Sequence, residues 1–307
     1  MTTPLAEYWD QRARDFAGRG AGLRAVCSYG MPSFYNGYIQ LTQELALAPH
    51  LRVAPGTEVL DLGCGIGRWS RKLARRGANV VAVDVAPSMI EEARRRSSEF
   101  LGVPRSSSES LGAGGELLRG TPRTPRTSEE LRRGTIDYRI ADLRTLDLGR
   151  TFDLVLAVTV LQHILDDEEF ARAAKNVARH LAPGGRAVLL EAAPSRPNGA
   201  CDTHVFRART AGQYLDAFRA AGLRAVKITG VDPAPFKQRV LPRYRTMPRL
   251  AARAAIFAAT ALSLPWDALL GRRMPEASWH KVFLLEAVVP SGPPGSQPGA
   301  TRENSPG

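Results

Sequence analysis

Short apolar runs alternate with amphipathic stretches along most of this chain. TEVLDLG (57–63) has the length and composition of a buried strand, and a helical pattern follows in GRWSRKLARRG (67–77). The alternation repeats in the strand NVVAVDV (79–85) and the helix PSMIEEARRR (87–96), opened by Pro87. TIDYRIADL (135–143), TFDLVLAVTV (151–160) and GRAVLLEAA (185–193) predict three more strands, with the helix DDEEFARAAKNVARHL (166–181) between the last two. Asp166, Asp167, Glu168 and Glu169 crowd the start of that helix, where carboxylates suit the helix dipole, and Pro183-Gly184-Gly185 turns the chain into the next strand. TAGQYLDAFRAAGL (210–223) reads as an amphipathic helix, LRAVKITGV (223–231) as a sixth strand and WHKVFLLEAVV (279–289) as a seventh, antiparallel one at the sheet edge. Residues 4–17 and 34–48 read as two helices, joined by an aromatic, Gly-rich stretch that leads from Tyr29 into Phe34, Tyr35 and Tyr38. Strands alternating with helices predict an α/β, doubly wound, seven-stranded and mostly parallel sheet with helices on both faces.

Two segments break the pattern. Residues 98–134 contain SSSES, GAGG and TPRTPRT, with few apolar anchors, and are expected to be a disordered insertion. The tail 290–307 is expected to be disordered for the same reason. The whole chain has 307 residues and is 44% hydrophobic, which excludes wholesale disorder. Three cysteines exclude a disulfide-stapled scaffold, and MTTPLAEYWDQRARDF lacks a secretory pattern, so a cytoplasmic protein is expected.

The sharpest local feature is Val59-Leu60-Asp61-Leu62-Gly63-Cys64-Gly65-Ile66-Gly67. Three alternate glycines end a strand and open a helix, which permits a sharp turn and a close ligand approach to free backbone N–H groups. The next strand ends in Asp84, placed to accept the ribose hydroxyls of a nucleoside. A nicotinamide dinucleotide prefers G-x-G-x-x-G, and an acid at position 61 would repel a pyrophosphate. A phosphate-free ligand carrying an ammonium group, S-adenosylmethionine (SAM), suits the loop better than NAD.

VLDLGCGIGRWS resembles motif I of class I SAM-dependent methyltransferases, and VAVDVAPSMIEEAR, IADL (140–143), FDLVLAVTVLQHI and HLAPGGRAVLLE resemble the later motifs. The match runs over about 57–230, and the small-molecule, UbiE-like branch is the most similar. The resemblance implies a Rossmann-like sheet and SAM as cofactor. It implies that Asp61, Gly63, Cys64 and Gly65 line the methionine end, with Gly67 permitting the turn. Asp84 would hold the ribose and Val85 the adenine face; Asp142, beside Ala141, would accept from the adenine amino group. Val158, Gln162 and His163 would lie at the end of the fourth strand, and Tyr8 and Trp9 on a helical lid. The organisation expected is a lid over 1–50 and a methyltransferase domain over 51–289, with 231–278 as a cover.

Methyl transfer requires positioning and, for a hydroxyl or protonated amine, a base. His163 is a candidate base by its place after the fourth strand, with a packing role as the alternative. His204 is a second candidate. No Cys/His cluster has metal-ligand spacing, and none is expected. The acceptor expected is a small, lipophilic molecule, methylated on O or N. An RNA methyltransferase and a non-catalytic SAM-binding protein are the alternatives.

The net charge is +12, from 37 arginines and five lysines against 30 acids. Nine of the basic residues and two acids lie within 237–281, around an apolar stretch at 250–264. Arg253, Pro265 and Asp267 read as making this stretch too short to span a membrane. It is expected to cover the substrate pocket or, through 237–273, to lie on an anionic membrane. With the charge so localised, nucleic acid is not favoured as a partner.

Overall fold

The computed structural model describes residues 4–16, 22–28, 30–101, 134–197, 199 and 202–288. Tyr29, Cys201, residues 102–133 of the expected insertion and the tail from 289 onward lie outside them.

Seven strands form one sheet: β1 (Glu58–Leu62), β2 (Asn79–Asp84), β3 (Ile136–Ile140), β4 (Phe152–Val158), β5 (Leu181–Ala192), β6 (Leu223–Gly230) and β7 (His280–Ala287). Their order is β3-β2-β1-β4-β5-β7-β6. β1 to β5 pair in parallel, and β7 is antiparallel to both β5 and β6. The order reverses between β1 and β4, which opens a crevice at the carboxyl ends of the strands.

The antiparallel strand differs from expectation in one respect: β7 is an inner strand, and β6 takes the edge. Val282, Phe283 and Leu285 of β7 are fully buried, and such a strand needs a neighbour on each side. β6 instead exposes Arg224 and Lys227 and carries a bulge between Ala225 and Lys227, features that discourage further strand pairing.

Helices cover both faces. On one, α6 (Asp167–Arg179) and α7 (Ala211–Ala220) bury Phe170, Val177, Tyr214 and Phe218 against Leu189 and Phe283. On the other, α3 (Ser33–Leu47), α4 (Arg68–Ala74) and α5 (Pro87–Leu101) bury Leu47, Trp69, Leu73 and Ile90 against Val80 and Leu156. α6 starts where its acids predicted: the Asp166 carboxylate accepts from Glu169 N at 2.8 Å. Residues 98–101, assigned to a disordered insertion, form the end of α5, because its amphipathic pattern continues past Arg96.

The N-terminal region forms three helices rather than two: α1 (Pro4–Phe16), the short α2 (Gly22–Val26) and α3. The Arg12 guanidinium joins α1 to α2, donating to the carbonyls of Arg24 and Cys27. Between β6 and β7 lie α8 (Pro235–Val240) and α9 (Arg249–Leu270). α9 continues through Pro265 for 22 residues. By length and composition it could cross a membrane, so the stretch is not too short for a span as its sequence suggested. Here it packs along α3, with Ile256 against Tyr35 and Tyr38. Its Asp267 accepts from the Tyr38 hydroxyl and from Ala234 N.

Candidate functional site

The glycine loop and the strand beside it form one unit. Gly63, Gly65 and Gly67 all have positive φ, at 59°, 53° and 70°. A Cβ on Gly63 would collide with the Val160 side chain, so the turn requires glycine for shape as well as space. Asp84 fixes the loop: its carboxylate accepts from Gly65 N at 2.8 Å and from Ala86 N at 3.0 Å. Burial raises its pKa against these bonds. Asp61 is buried beneath the loop with Ser70 Oγ at 2.5 Å, and burial pushes its carboxyl up to about 7. The Cys64 thiol is raised well above its usual range, by burial first and then by Asp84 and Asp61, which makes it a poor nucleophile.

A cavity opens above this loop. Trp9, Gly63, Cys64, Gly65, Asp84, Val85, Ala141, Asp142, Val158 and His163 line it, all singled out in the sequence. Five other candidates are placed elsewhere. Asp61 lies under the loop, and Gly67 starts α4 against Tyr138. Gln162 turns back to the sheet, where its Oε1 accepts from Ala192 N at 3.0 Å. Tyr8 and His204 stack edge-on at 5.9 Å outside the cavity. Asp142 is shared: Arg144 grips both its oxygens, at 2.6 and 3.0 Å, and also reaches Glu169. Burial raises the Asp142 pKa, and the bonds to Arg144 outweigh it and leave the group lowered.

His163 stands in a 3₁₀ turn (Leu161–His163) directly after β4. Its Nδ1 is 2.6 Å from the Val205 carbonyl, which can only accept, so Nδ1 carries the proton and Nε2 is an acceptor, to which the Gln162 side-chain amide donates at 3.4 Å. The Trp9 ring stands edge-on to it at 4.9 Å and Phe206 at 6.2 Å. Burial, opposed by the Val205 bond and aided by the charge of Arg12, lowers its pKa to about 4. The ring is therefore neutral at physiological pH.

Three features were not legible in the sequence. Glu191, at the end of β5, accepts from Val160 N and Leu161 N at 3.0 Å and from Gln162 N at 3.2 Å, and so shapes the turn that presents His163. Burial pushes its carboxyl up to about 7 against these donors. Thr159, next to β4 and on the cavity wall, has φ of +58°, an unfavourable value for a β-branched residue. Arg68, also on the wall, donates to the amide oxygens of Gln40 and, at 2.8 Å, Gln43. Burial lowers its pKa, with Cys27, Asp61 and Glu44 opposing. A guanidinium held by neutral amides beside a cavity suits a ligand carboxylate.

The donor set fits SAM. Asp84 stands where a ribose would be held, Arg68 offers a cation to the methionine carboxylate, and the positive-φ glycines let the ligand approach the backbone. Among the described residues no cluster of His, Cys, Asp and Glu could hold a metal ion.

A family model described as a methyltransferase domain matches residues 35–228. Ubiquinone biosynthesis O-methyltransferases of Methylocella silvestris and Xanthomonas oryzae pv. oryzae are 35% identical over 142 residues and 32% over 136. These alignments take in 45% and 44% of this chain and 42% of each relative, so the match spans less than half of either. Among solved structures, the [4+2]-cyclase SpnF superposes with a TM-score of 0.54 at 15% identity, covering 93% of this chain and 97% of that one. Magnesium protoporphyrin IX methyltransferase (ChlM) from Synechocystis PCC 6803 with bound SAH gives 0.50 at 19%, covering 74% and 91%. At these identities the likeness is one of fold. Motif, cavity and family match agree: this chain belongs to the methyltransferase-domain family.

Proposed function

We propose that this chain is an enzyme that transfers a methyl group from SAM to an oxygen or nitrogen of a small, lipophilic acceptor, in the cytoplasm, with 237–273 making peripheral contact with a membrane. One observation carries the reading: Asp84, Gly63, Gly65 and the half-buried Arg68 surround a single cavity that His163 and Trp9 also line. The relatives' name, ubiquinone biosynthesis O-methyltransferase, favours oxygen as the acceptor atom. The fold alone would not carry it, since a [4+2]-cyclase shares that fold.

The cofactor supplies a methyl already activated on a sulfonium. The chain then needs chiefly to bind, orient and exclude water. Asp84 accepts from the ribose hydroxyls, Arg68 pairs with the carboxylate, and Leu5 and Trp9 of α1 cover the cavity with Ile164. His163, neutral and with Nε2 an acceptor that only the long 3.4 Å contact from the Gln162 amide engages, takes a hydrogen bond from the acceptor's hydroxyl or amine in its place and orients its lone pair. A group titrating near 4 is a weak base at pH 7, so His163 is a positioning acceptor more than a proton store.

Thermal melting tests the reading. SAM and its demethylated product should each raise the Tm, and NAD should not. Absence of a shift with both SAM and the product would refute it. Turnover of a lipophilic phenol separates an enzyme from a non-catalytic SAM binder.

A further inference from the structure

A second cavity, of about 570 Å³, lies on the sheet face opposite α6 and α7, between the end of α3, the loop into β1 and the end of α9. It shares no lining residue with the glycine-loop cavity. Arg52, Arg76 and Arg272 line it, next to the apolar Leu45 and Ala268. None of these arginines has a carboxylate within ion-pair distance among the described residues. Asp267 is the acid on the wall, and it is already held by Tyr38 and Ala234 N. The positive field is felt nearby. The pKa of His50 is lowered first by burial and then by Lys227, Arg186 and Arg272.

The crevice opens at the foot of an exposed apolar crest. On α9 the buried side is Ala252, Ile256, Ala259, Ser263 and Asp267. The opposite side carries Leu250, Phe257, Leu262, Trp266 and Leu269, with Leu262 62% and Leu269 76% exposed. Leu41 and Leu45 of α3 extend the apolar surface. Arginines bracket it, with Arg245, Arg249 and Arg253 at one end and Arg272 and Arg273 at the other. The one acid on α9, Asp267, is buried. An apolar helix face with cationic ends and no exposed acid complements an anionic bilayer surface, on which such a helix lies in the interface plane.

We infer that the Arg52–Arg76–Arg272 crevice binds the phosphate of an anionic phospholipid, while the crest of α9 enters the same leaflet. The inference rests on the reading of 237–273 as a membrane contact and adds a specific headgroup site to it. The lipid phosphate replaces the missing carboxylates, and Leu45, Ala268 and Leu269 meet the first methylenes of its chains. A lipophilic acceptor dissolved in that leaflet would then reach an enzyme already docked.

Flotation of the full chain tests this. The vesicles are phosphatidylcholine alone or mixed with phosphatidylglycerol. The variants are Arg52→Ser/Arg272→Ser in the crevice and Leu262→Ser/Leu269→Ser on the crest. The wild type should float with the anionic vesicles and far less with phosphatidylcholine. The crevice pair should lower partitioning roughly thirtyfold, at about fivefold per arginine. Both variants should melt and bind the demethylated cofactor as the wild type does. If the crevice variant floats like the wild type while the crest variant does not, the headgroup site is refuted and the membrane contact stands. If the wild type does not float, or neither variant loses flotation, the contact reading fails with it. Inorganic phosphate that stabilises the wild type but not the crevice variant, with flotation unchanged, would mark a free-phosphate site and overturn the lipid assignment. A dimer in solution, dissolved by the crest substitutions and without flotation, would give the face to a second copy and overturn it equally.

Discussion

Asp84 and Arg68 hold opposite ends of the proposed ligand, and because Asp84 also braces the glycine loop, melting of the free variants is read beside binding. Asp84→Ala should weaken SAM binding tenfold or more by calorimetry, since a lost charged hydrogen-bond pair costs about 1.5–3 kcal/mol. Arg68→Gln should raise the KM for SAM with a smaller effect on kcat, because a carboxylate contact is made equally in ground and transition states. His163 carries a pH prediction. Its folded pKa of about 4 lies below the ordinary value of 6.5, so the unfolded chain binds the extra proton first. Its contribution to stability is present above pH 6.5 and is lost as pH falls toward 4. The Tm of the wild type should therefore drop more steeply between pH 6.5 and 4.5 than that of His163→Gln. The pH–rate profile should show no limb near pH 6.5 that depends on His163; such a limb would restore the general-base reading. The histidine's place was legible from FDLVLAVTVLQHI. Its tautomer and depressed pKa were not, because Val205 sets the first, while burial, with Trp9 and Phe206 against the ring, and the charge of Arg12 set the second, all from other parts of the chain.

At the scale of elements, the glycine turn between β1 and α4 was legible in its spacing, while the contacts that hold it, from Asp84 and Val160, come from β2 and the turn after β4. Gly63 adopts φ of +59° with Val160 against its Cα. Gly63→Ala should cost about 1–2 kcal/mol for the left-handed backbone, before any displacement of Val160. It should also abolish measurable SAM binding, which calorimetry and melting read separately. The turn after β4 is of the other kind. Glu191, from a neighbouring strand, collects three N–H groups there, and Thr159 takes a left-handed backbone beside it. Nothing in TFDLVLAVTV announces either feature. α9 shows the same division: its apolar character is plain in the sequence, but its persistence through Pro265 depends on packing along α3.

For the whole molecule, the segment between β6 and β7, which supplies no residue to the glycine-loop cavity, is tied to the sheet by a buried charge cluster. Asp232, after β6, accepts from Lys237 Nζ of α8 at 2.5 Å and from His280 Nδ1 of β7 at 2.8 Å. Burial would raise Asp232, but the charges of Lys237 and His280 hold it well below the usual carboxylate range. Lys237→Met leaves this carboxylate without its main partner and should destabilise the protein by about 3–5 kcal/mol in urea unfolding. Adding Asp232→Asn should recover much of the loss, and a double variant as unstable as the single one would argue against the pairing. Lys237 is one of the nine basic residues of 237–281. It is buried, so the free positive charge belongs to the arginines at the two ends of α9. What the sequence determined by itself was everything set by short-range order. Strand and helix periods gave the α/β alternation, the glycine spacing gave the loop, and Asp84 at the next strand end gave the ligand class. Tertiary structure alone decided which side chains face the cavity, that β7 lies inside β6, and that Arg68 is held by amides from α3. Those outcomes depend on which distant segments share a low-dielectric interior, where burial and partner identity set charge, tautomer and direction.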